Sequence, residues 1–171
     1  MLRDEGEAQM GKIIVEKDRI QFTRRDELTV IEAYGKDCIR CRLTRNGKLS
    51  GENWTLLPAK EQADCVITEE AGKATLVNGR ISVTVEAGNV WCGGIITYYR
   101  DGKQILHTKF EGDYVTRTLH TEGYHYQTKI IFDANPGEHF YGLGQEQEDI
   151  FDRKGSTCNL LHYNTKSAVP V

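Results

Sequence analysis

The stretch Lys73-Ala-Thr-Leu-Val-Asn-Gly-Arg-Ile-Ser-Val-Thr-Val-Glu86 decides the fold class. Lys73 to Val77 reads as a strand. Asn78-Gly79 follows, and both residue types tolerate positive φ, which favours a tight turn. Ile81, Val83 and Val85 then alternate with Ser82, Thr84 and Glu86. Apolar and polar residues in strict alternation have the period of a strand with one buried face, so the stretch predicts a β-hairpin.

The same signature extends in both directions. Cys65 to Thr68 supplies a preceding strand. Trp91 to Tyr99 reaches Asp101-Gly102, and Gln104 to Lys109 returns, which predicts a second hairpin. Gly93-Gly94 within the outgoing strand suggests a bulge or a close backbone approach. Towards the amino terminus, residues 12 to 16 and 19 to 24 read as strands. In Leu28 to Tyr34, Leu28, Val30 and Glu32 share one face and Thr29, Ile31 and Ala33 the other. Cys38 to Arg45 leads to a turn at Asn46-Gly47, and Ser50 to Pro58 reads as a loop packed around Trp54. Glu111 to Thr118 reads as an irregular crossing. Tyr124, Tyr126, Thr128, Ile130 and Phe132 alternate with His125, Gln127 and Lys129 until Asn135-Pro136-Gly137 stops the strand. No segment sustains a period of 3.6 residues. Ten or more strands without a helix predict an all-β chain. Since each sheet must cover an apolar face, the expected architecture is a two-sheet antiparallel β-sandwich.

Composition narrows the partners. A chain of 171 residues is long enough to bury a real core as one domain. Its net charge of −3 and scattered Lys and Arg argue against nucleic acid, which wants a basic face. Arg40, Arg42 and Arg45, the nearest approach to a basic patch, are expected on a solvated strand face. No apolar run approaches the roughly 20 residues of a membrane helix. The acidic start, Met1 to Glu7, is unlike a secretory signal. Residues 1–11 are expected to be a flexible amino terminus or an expression remnant, and residues 12–171 the domain. Five cysteines form no tidy framework. Cys38 and Cys41 are three apart, but on a strand that spacing puts them on opposite faces, so free thiols and a cytoplasmic location are expected.

Candidate chemistry concentrates between residues 138 and 166. Gly142-Leu143-Gly144 lacks the third glycine of a dinucleotide fingerprint and its βαβ setting. Glu146, Glu148, Asp149 and Asp152 could hold an acid/base pair of the kind glycoside hydrolysis uses, but a solvated acidic loop accounts for them more simply. Histidines 107, 120, 125, 139 and 162 show no ligand spacing, so neither a metal nor a cofactor is expected. His120 and His125, with Tyr124 and Tyr126, could line a sugar pocket, though strand histidines are usually structural. Trp54, Trp91, Phe140, Tyr141, Phe151 and Tyr163 could stack on sugar rings. Core packing is the plainer reading, with Tyr163 and Phe151 the best exceptions.

Glu138 to Gln145, then Phe151 to Gly155, then Tyr163-Asn164-Thr165 and the ending Ala168 to Val171 together resemble the amino-terminal region of glycoside hydrolase family 31, which includes α-glucosidases and α-xylosidases. Asn53 to Pro58 adds a softer match. The resemblance implies a galactose-mutarotase-like β-sandwich ahead of a (β/α)8 barrel that carries two catalytic aspartates of a retaining mechanism. Nothing in this chain matches those barrel motifs, so no catalytic residue is expected here and the chain is expected to be inactive alone. The apolar ending Ser167 to Val171 fits a chain that continues. The resemblance also implies that a loop near Asn159 to Lys166 reaches the substrate pocket. Tyr163, Asn164 and Thr165 are then the expected contacts to an α-linked oligosaccharide or glycoside, with Gly142 and Gly144 shaping a turn. Several relatives carry an acidic residue in that loop. None occurs here from Arg153 to Val171, which leaves the preferred sugar open. The full-length enzyme could form a homo-oligomer. Two other readings remain: a free-standing carbohydrate-binding β-sandwich, and a mutarotase-type epimerase, which needs a His acid and a Glu base in one cleft.

Overall fold

The structure is a computed structural model. It describes residues 11–24, 27–45, 48–53, 56–61, 64–88, 94–108, 117–122, 125–145, 149–161 and 167–168, with backbone alone for those from 117 to 128. The chain divides into two compact units, Met1–Asp133 and Ala134–Val171.

In the first unit, β1 (Lys12–Val15), β2 (Arg19–Arg24), β3 (Glu27–Ala33) and β4 (Ile39–Arg45) form one sheet in that order. A second sheet follows sequence order too: β5 (Cys65–Glu70), β6 (Lys73–Asn78), β7 (Ile81–Glu86), β8 (Ile95–Arg100) and β9 (Lys103–His107). All neighbours are antiparallel. A separate pair, β10 (Arg117–Glu122) and β11 (His125–Ile130), completes the strands of this unit. The described residues contain no helix.

Alternation in the sequence becomes a core between the two sheets. Ile20 and Phe22 of β2 and Ile31 of β3 pack with Ala74 and Leu76 of β6, Val83 and Val85 of β7 and Ile96 of β8. Cross-strand register aligns them: Ile20 faces Ile31, Leu76 faces Val83, and Val85 faces Ile96. Ile20, Ile31, Leu76, Val83 and Val85 have no exposed surface. Each such side chain contributes roughly 1.5–3 kcal/mol through burial. Phe22 fits because of missing side chains. A Cβ on Gly94 would stand 3.0 Å from its ring tip, and one on Gly11 would collide with the ring. The close-approach reading of Gly94 therefore holds. The bulge of this hairpin lies elsewhere, where the register shifts between Tyr98 and Tyr99 opposite Ile105.

Both hairpins form, with one change of detail. Asp101-Gly102 is a two-residue loop with φ of 51° and 76°, the paired positive values of a type I′ turn. In the other hairpin the turn is shifted by one residue. Asn78 pairs with Ile81, so the loop is Gly79-Arg80, with positive φ at Gly79. Asn78 instead ends β6 at 2 % exposure. Its side-chain amide donates to the carbonyls of Gly35 (2.7 Å) and Cys38 (2.8 Å). Arg80 N–H donates to Asp37 Oδ1 at 2.7 Å. The 35–38 turn of the first sheet is thus locked onto the β6–β7 turn of the second.

Arg40 and Arg42 depart from expectation. They lie on the outer face of β4 but are half-buried and ion-paired to Glu32, while Arg45 has the opposite parity. Of the C-x-x-C pair, Cys38 is exposed and Cys41 packs against the core. These two, Cys65 and Cys158 are outside any disulfide. Burial raises the pKa of the Cys65 thiol above its ordinary value. Among the described residues, no helix is long and apolar enough to cross a membrane.

Among its described residues the second unit contains one short pair, β12 (Gly144–Gln145) with β13 (Ser167–Ala168). Its backbone enters through Gly142, Leu143 and Gly144 at φ of 93°, 66° and 107°. Three successive positive values explain the glycines, since only glycine adopts them freely. A Cβ on Gly144 would run into the backbone of Ser167. These glycines shape a turn and a strand contact.

Candidate functional site

One carboxylate joins residues 139–140 to residues 152–154. Asp152 Oδ2 lies 2.6 Å from His139 Nδ1, and Oδ1 accepts the backbone N–H groups of Phe140 (3.1 Å) and Lys154 (3.0 Å). His139 first, then these two amides, hold the carboxyl at about 2, below the ordinary aspartate value. Arg153 N–H donates to Phe140 O at 2.8 Å, so the two ends of the loop are zipped beside Asp152. Lys154 Nζ pairs with Glu138 Oε1, which lowers the Glu138 pKa. Asp152 was expected in a solvated acidic loop, and that description fits Asp149, which is exposed. Asp152 is the fastener of the loop. Spacing alone did not signal it, because Asp152 and His139 are 13 residues apart.

The loop displays its apolar side chains. Phe151 is 84 % exposed, Tyr141 55 % and Phe140 50 %, and Ile150, Leu160 and Leu161 are exposed too. Tyr141 lies 4.9 Å from Phe151 between ring centroids and 6.0 Å from His139. Core packing is therefore wrong for Phe140 and Tyr141, and Phe151, set apart from the core reading, is exposed as well. Trp54, Trp91 and Tyr163 lie outside the described residues.

The expected sugar contacts Tyr163, Asn164 and Thr165 also lie outside the described residues, as do Glu146, Glu148 and His162. The chain is described up to Leu161, whose N–H donates to Asn159 O at 2.8 Å, and again at Ser167 and Ala168 in β13. The side chains of His120, His125 and Tyr126 and the whole of Tyr124 are likewise outside it. Among the described residues, no group of three His, Cys, Asp or Glu side chains could hold a metal ion.

One further constellation has the letters of a catalytic triad. Thr97 Oγ1 lies 2.9 Å from His107 Nδ1, and His107 Nε2 lies 3.8 Å from Asp133 Oδ2. Thr97 is 5 % exposed, too enclosed for a nucleophile to meet a substrate. Asp133 N–H also donates to His107 O at 2.9 Å. The group ties β8, β9 and residue 133 together. Among the described histidine side chains, His107 and His139 thus each lie beside an aspartate.

Comparison with known proteins places these features. The chain is 26 % identical to an uncharacterized family 31 glucosidase of Pseudescherichia vulneris, across 94 % of this chain and 34 % of that protein. It is 26 % identical to alpha-xylosidase A of Aspergillus niger, across 57 % of this chain and 14 % of that enzyme. Its fold superposes on the crystal structure of a family 31 alpha-xylosidase from a soil metagenome complexed with xylose. The TM-score is 0.81 at 27 % identity, over 93 % of this chain and 26 % of the other. The chain thus spans about a third of the first relative and a quarter of the xylosidase. Residues 28–168, from the buried start of β3 to the end of β13, match one family model, and the chain belongs to that family: the glycosyl hydrolase 31 N-terminal galactose mutarotase-like domain.

Proposed function

We propose that this chain is the non-catalytic amino-terminal domain of a retaining α-glycosidase of the α-glucosidase or α-xylosidase type. In this reading residues 12–171 form the domain and 1–11 precede it. The domain packs on a catalytic (β/α)8 barrel and lends the loop with Tyr163, Asn164 and Thr165 to the pocket for an α-linked glycoside. The observation that carries the reading is the likeness to the xylose-bound alpha-xylosidase, in which this whole fold is only a quarter of the chain. The exposed aromatics support it from the other side. A loop fastened by Asp152 yet presenting Phe140, Tyr141 and Phe151 to solvent is built to be covered by something apolar. Cysteines outside any disulfide at Cys38, Cys65 and Cys158 fit a cytoplasmic enzyme.

The test compares two polypeptides on aryl α-xylosides and α-glucosides. The longer one, carrying this domain and a following barrel, is expected to hydrolyse at least one of them with retained anomeric configuration. This chain alone is expected to release nothing. In the longer protein, Asn164→Ala is expected to raise KM by about threefold to tenfold and to affect kcat less, the pattern of lost uniform binding. Inactivity of the long protein on every such substrate overturns the reading.

The Tyr141–Phe151 platform also favours a second reading, a carbohydrate-binding sandwich that works without a barrel. That reading requires saccharide binding by this chain alone, lost in Phe151→Ala.

A further inference from the structure

The outer face of the β1–β4 sheet carries a feature that this reading leaves unused. Register sets Arg19, Glu32 and Arg40 in one row across β2, β3 and β4, and Gln21, Val30 and Arg42 in the next. Glu32 is 8 % exposed. Its Oε1 accepts Arg40 Nε at 3.0 Å and Arg42 Nε at 2.9 Å, and Arg42 Nη2 lies 2.8 Å from the same oxygen. Arg40 is further held over the Tyr34 ring, 4.6 Å from its centroid.

A wall stands beside this row. Arg42 Nη1 donates to Ser50 O at 3.4 Å, and Tyr34 O–H donates to Leu57 O at 2.5 Å. Asn53 Nδ2 donates to Tyr34 Oη and Leu56 O, and its Oδ1 accepts Leu56 N–H. Ser50, Asn53, Leu56 and Leu57 are thereby pinned along the sheet. Between wall and sheet lies a groove of about 590 Å³ whose lining includes Gln21, Val30, Tyr34, Arg40, Arg42 and Lys48. A groove of that size suits a small molecule.

Its charge is opposite to that of the chain. Two guanidiniums answer one carboxylate, and Lys48 adds an exposed ammonium at the rim. Arg19 at one end is already engaged by Asp18 and Glu16. Glu32 takes only Nε from Arg40, which leaves that guanidinium donors for a second acceptor. The planar fork of arginine matches carboxylate and phosphate oxygens. Val30 and Leu28 give the groove an aliphatic floor, on which C–H groups can rest.

We propose that this groove binds a small hydroxylated anion of monosaccharide size, its carboxylate or phosphate held by Arg40, Arg42 and Lys48 and its carbon skeleton lying on Val30 and Leu28. Such a ligand is either a sugar acid or a sugar phosphate. The same charge recognises both.

Calorimetric titration of the full chain tests it, with glucuronate, glucose 6-phosphate, inorganic phosphate and glucose as separate probes. Saturable binding of glucuronate or glucose 6-phosphate below about 5 mM is expected, with none by glucose at the same concentration. Whichever of the two saturates first identifies the source of the charge. Affinity is expected to fall several-fold between about 0.05 and 0.5 M salt, since the site is partly open. Arg42→Gln is expected to weaken binding by about tenfold. Lys48 is exposed, so Lys48→Glu leaves the unfolding midpoint in place and is expected to weaken binding by roughly threefold to tenfold. Absence of saturation by either anionic sugar, equal binding of glucose, or unchanged affinity in Lys48→Glu overturns the proposal. Inorganic phosphate binding as tightly as both sugars overturns the monosaccharide-sized site.

Discussion

The two units of this chain are held by different physics. In the first, eight side chains fill the space between two sheets, and Ile20, Ile31, Leu76, Val83 and Val85 are wholly enclosed. In the second, Arg153 and Ala168 are the buried residues among those described, while six large apolar side chains face outward between Phe140 and Leu161. Order there comes from local chemistry: three successive positive φ values, a two-residue strand pair and the hydrogen bonds of Asp152. Both units expose large apolar side chains, Leu57 at 83 % and Val66 at 62 % in the first, so exposure alone does not separate them. What separates them is that the first has a buried apolar cluster of its own, whereas among the described residues of the second Ala168 is the buried apolar side chain and the backbone is fixed by local hydrogen bonds.

The sharpest way to break that contrast is to cut into the core. Leu76→Ala is expected to lower the stability of the first unit by about 3 kcal/mol, from lost transfer and the cavity left behind. The readout is the midpoint of urea unfolding followed by far-ultraviolet circular dichroism. Phe151→Ala, made at an 84 % exposed ring, is expected to shift the same midpoint by less than about 0.5 kcal/mol. Equal shifts in the two variants would erase the distinction.

A smaller effect is expected at the lock between the sheets. Asn78→Ala removes the amide of a 2 % exposed side chain that serves the Gly35 and Cys38 carbonyls in two partly buried hydrogen bonds. The expected cost is about 1–3 kcal/mol. Asn78→Asp serves as the sharper control: same shape, but a carboxylate facing two carbonyl oxygens at neutral pH. It is expected to cost at least as much. If Asn78→Ala unfolds at the parent midpoint, the 35–38 turn is held by something else.

Legibility in the sequence divides along the same line. Ile81, Val83 and Val85 announced their strand, and Asp101-Gly102 its turn, because a period of two and a demand for positive φ are local properties. The resemblance carried the family. What stayed hidden depended on partners distant in sequence. Asn78 looked like a turn residue, and nothing in Asn-Gly says that its amide reaches carbonyls some 40 residues away. Arg40 and Arg42 looked solvated because Glu32 is visible as their partner only once β3 and β4 are in register. Phe140 and Tyr141 were read as core because aromatic residues usually are, and no local pattern marks a loop with an apolar exterior. Asp152 was read with its acidic run as solvated, because its partner His139 is 13 residues away. Tyr163, Asn164 and Thr165 rest on the resemblance.

The finest test concerns that carboxylate. Asp152 has its pKa lowered from 3.8 to about 2. A depressed carboxylate favours the folded loop above its unfolded pKa and ceases to do so as it takes a proton. The Asp152 contacts with His139, Phe140 and Lys154 are therefore expected to persist from neutral pH down to about 4, weaken as the pH falls further, and be lost below about 2. Carboxyl chemical shifts followed by NMR across that range give the midpoint directly. His139→Ala removes the largest cause and is expected to move the midpoint upward. It should stop short of 3.8, because the Phe140 and Lys154 amides still donate to Oδ1. A parent midpoint near 4 would show that the loop is not fastened at Asp152. A His139→Ala midpoint identical to the parent would transfer the fastening to the backbone amides alone. In that second case the exposed Tyr141 would lose only a stacking neighbour, and the loop would present the same aromatic face without its histidine.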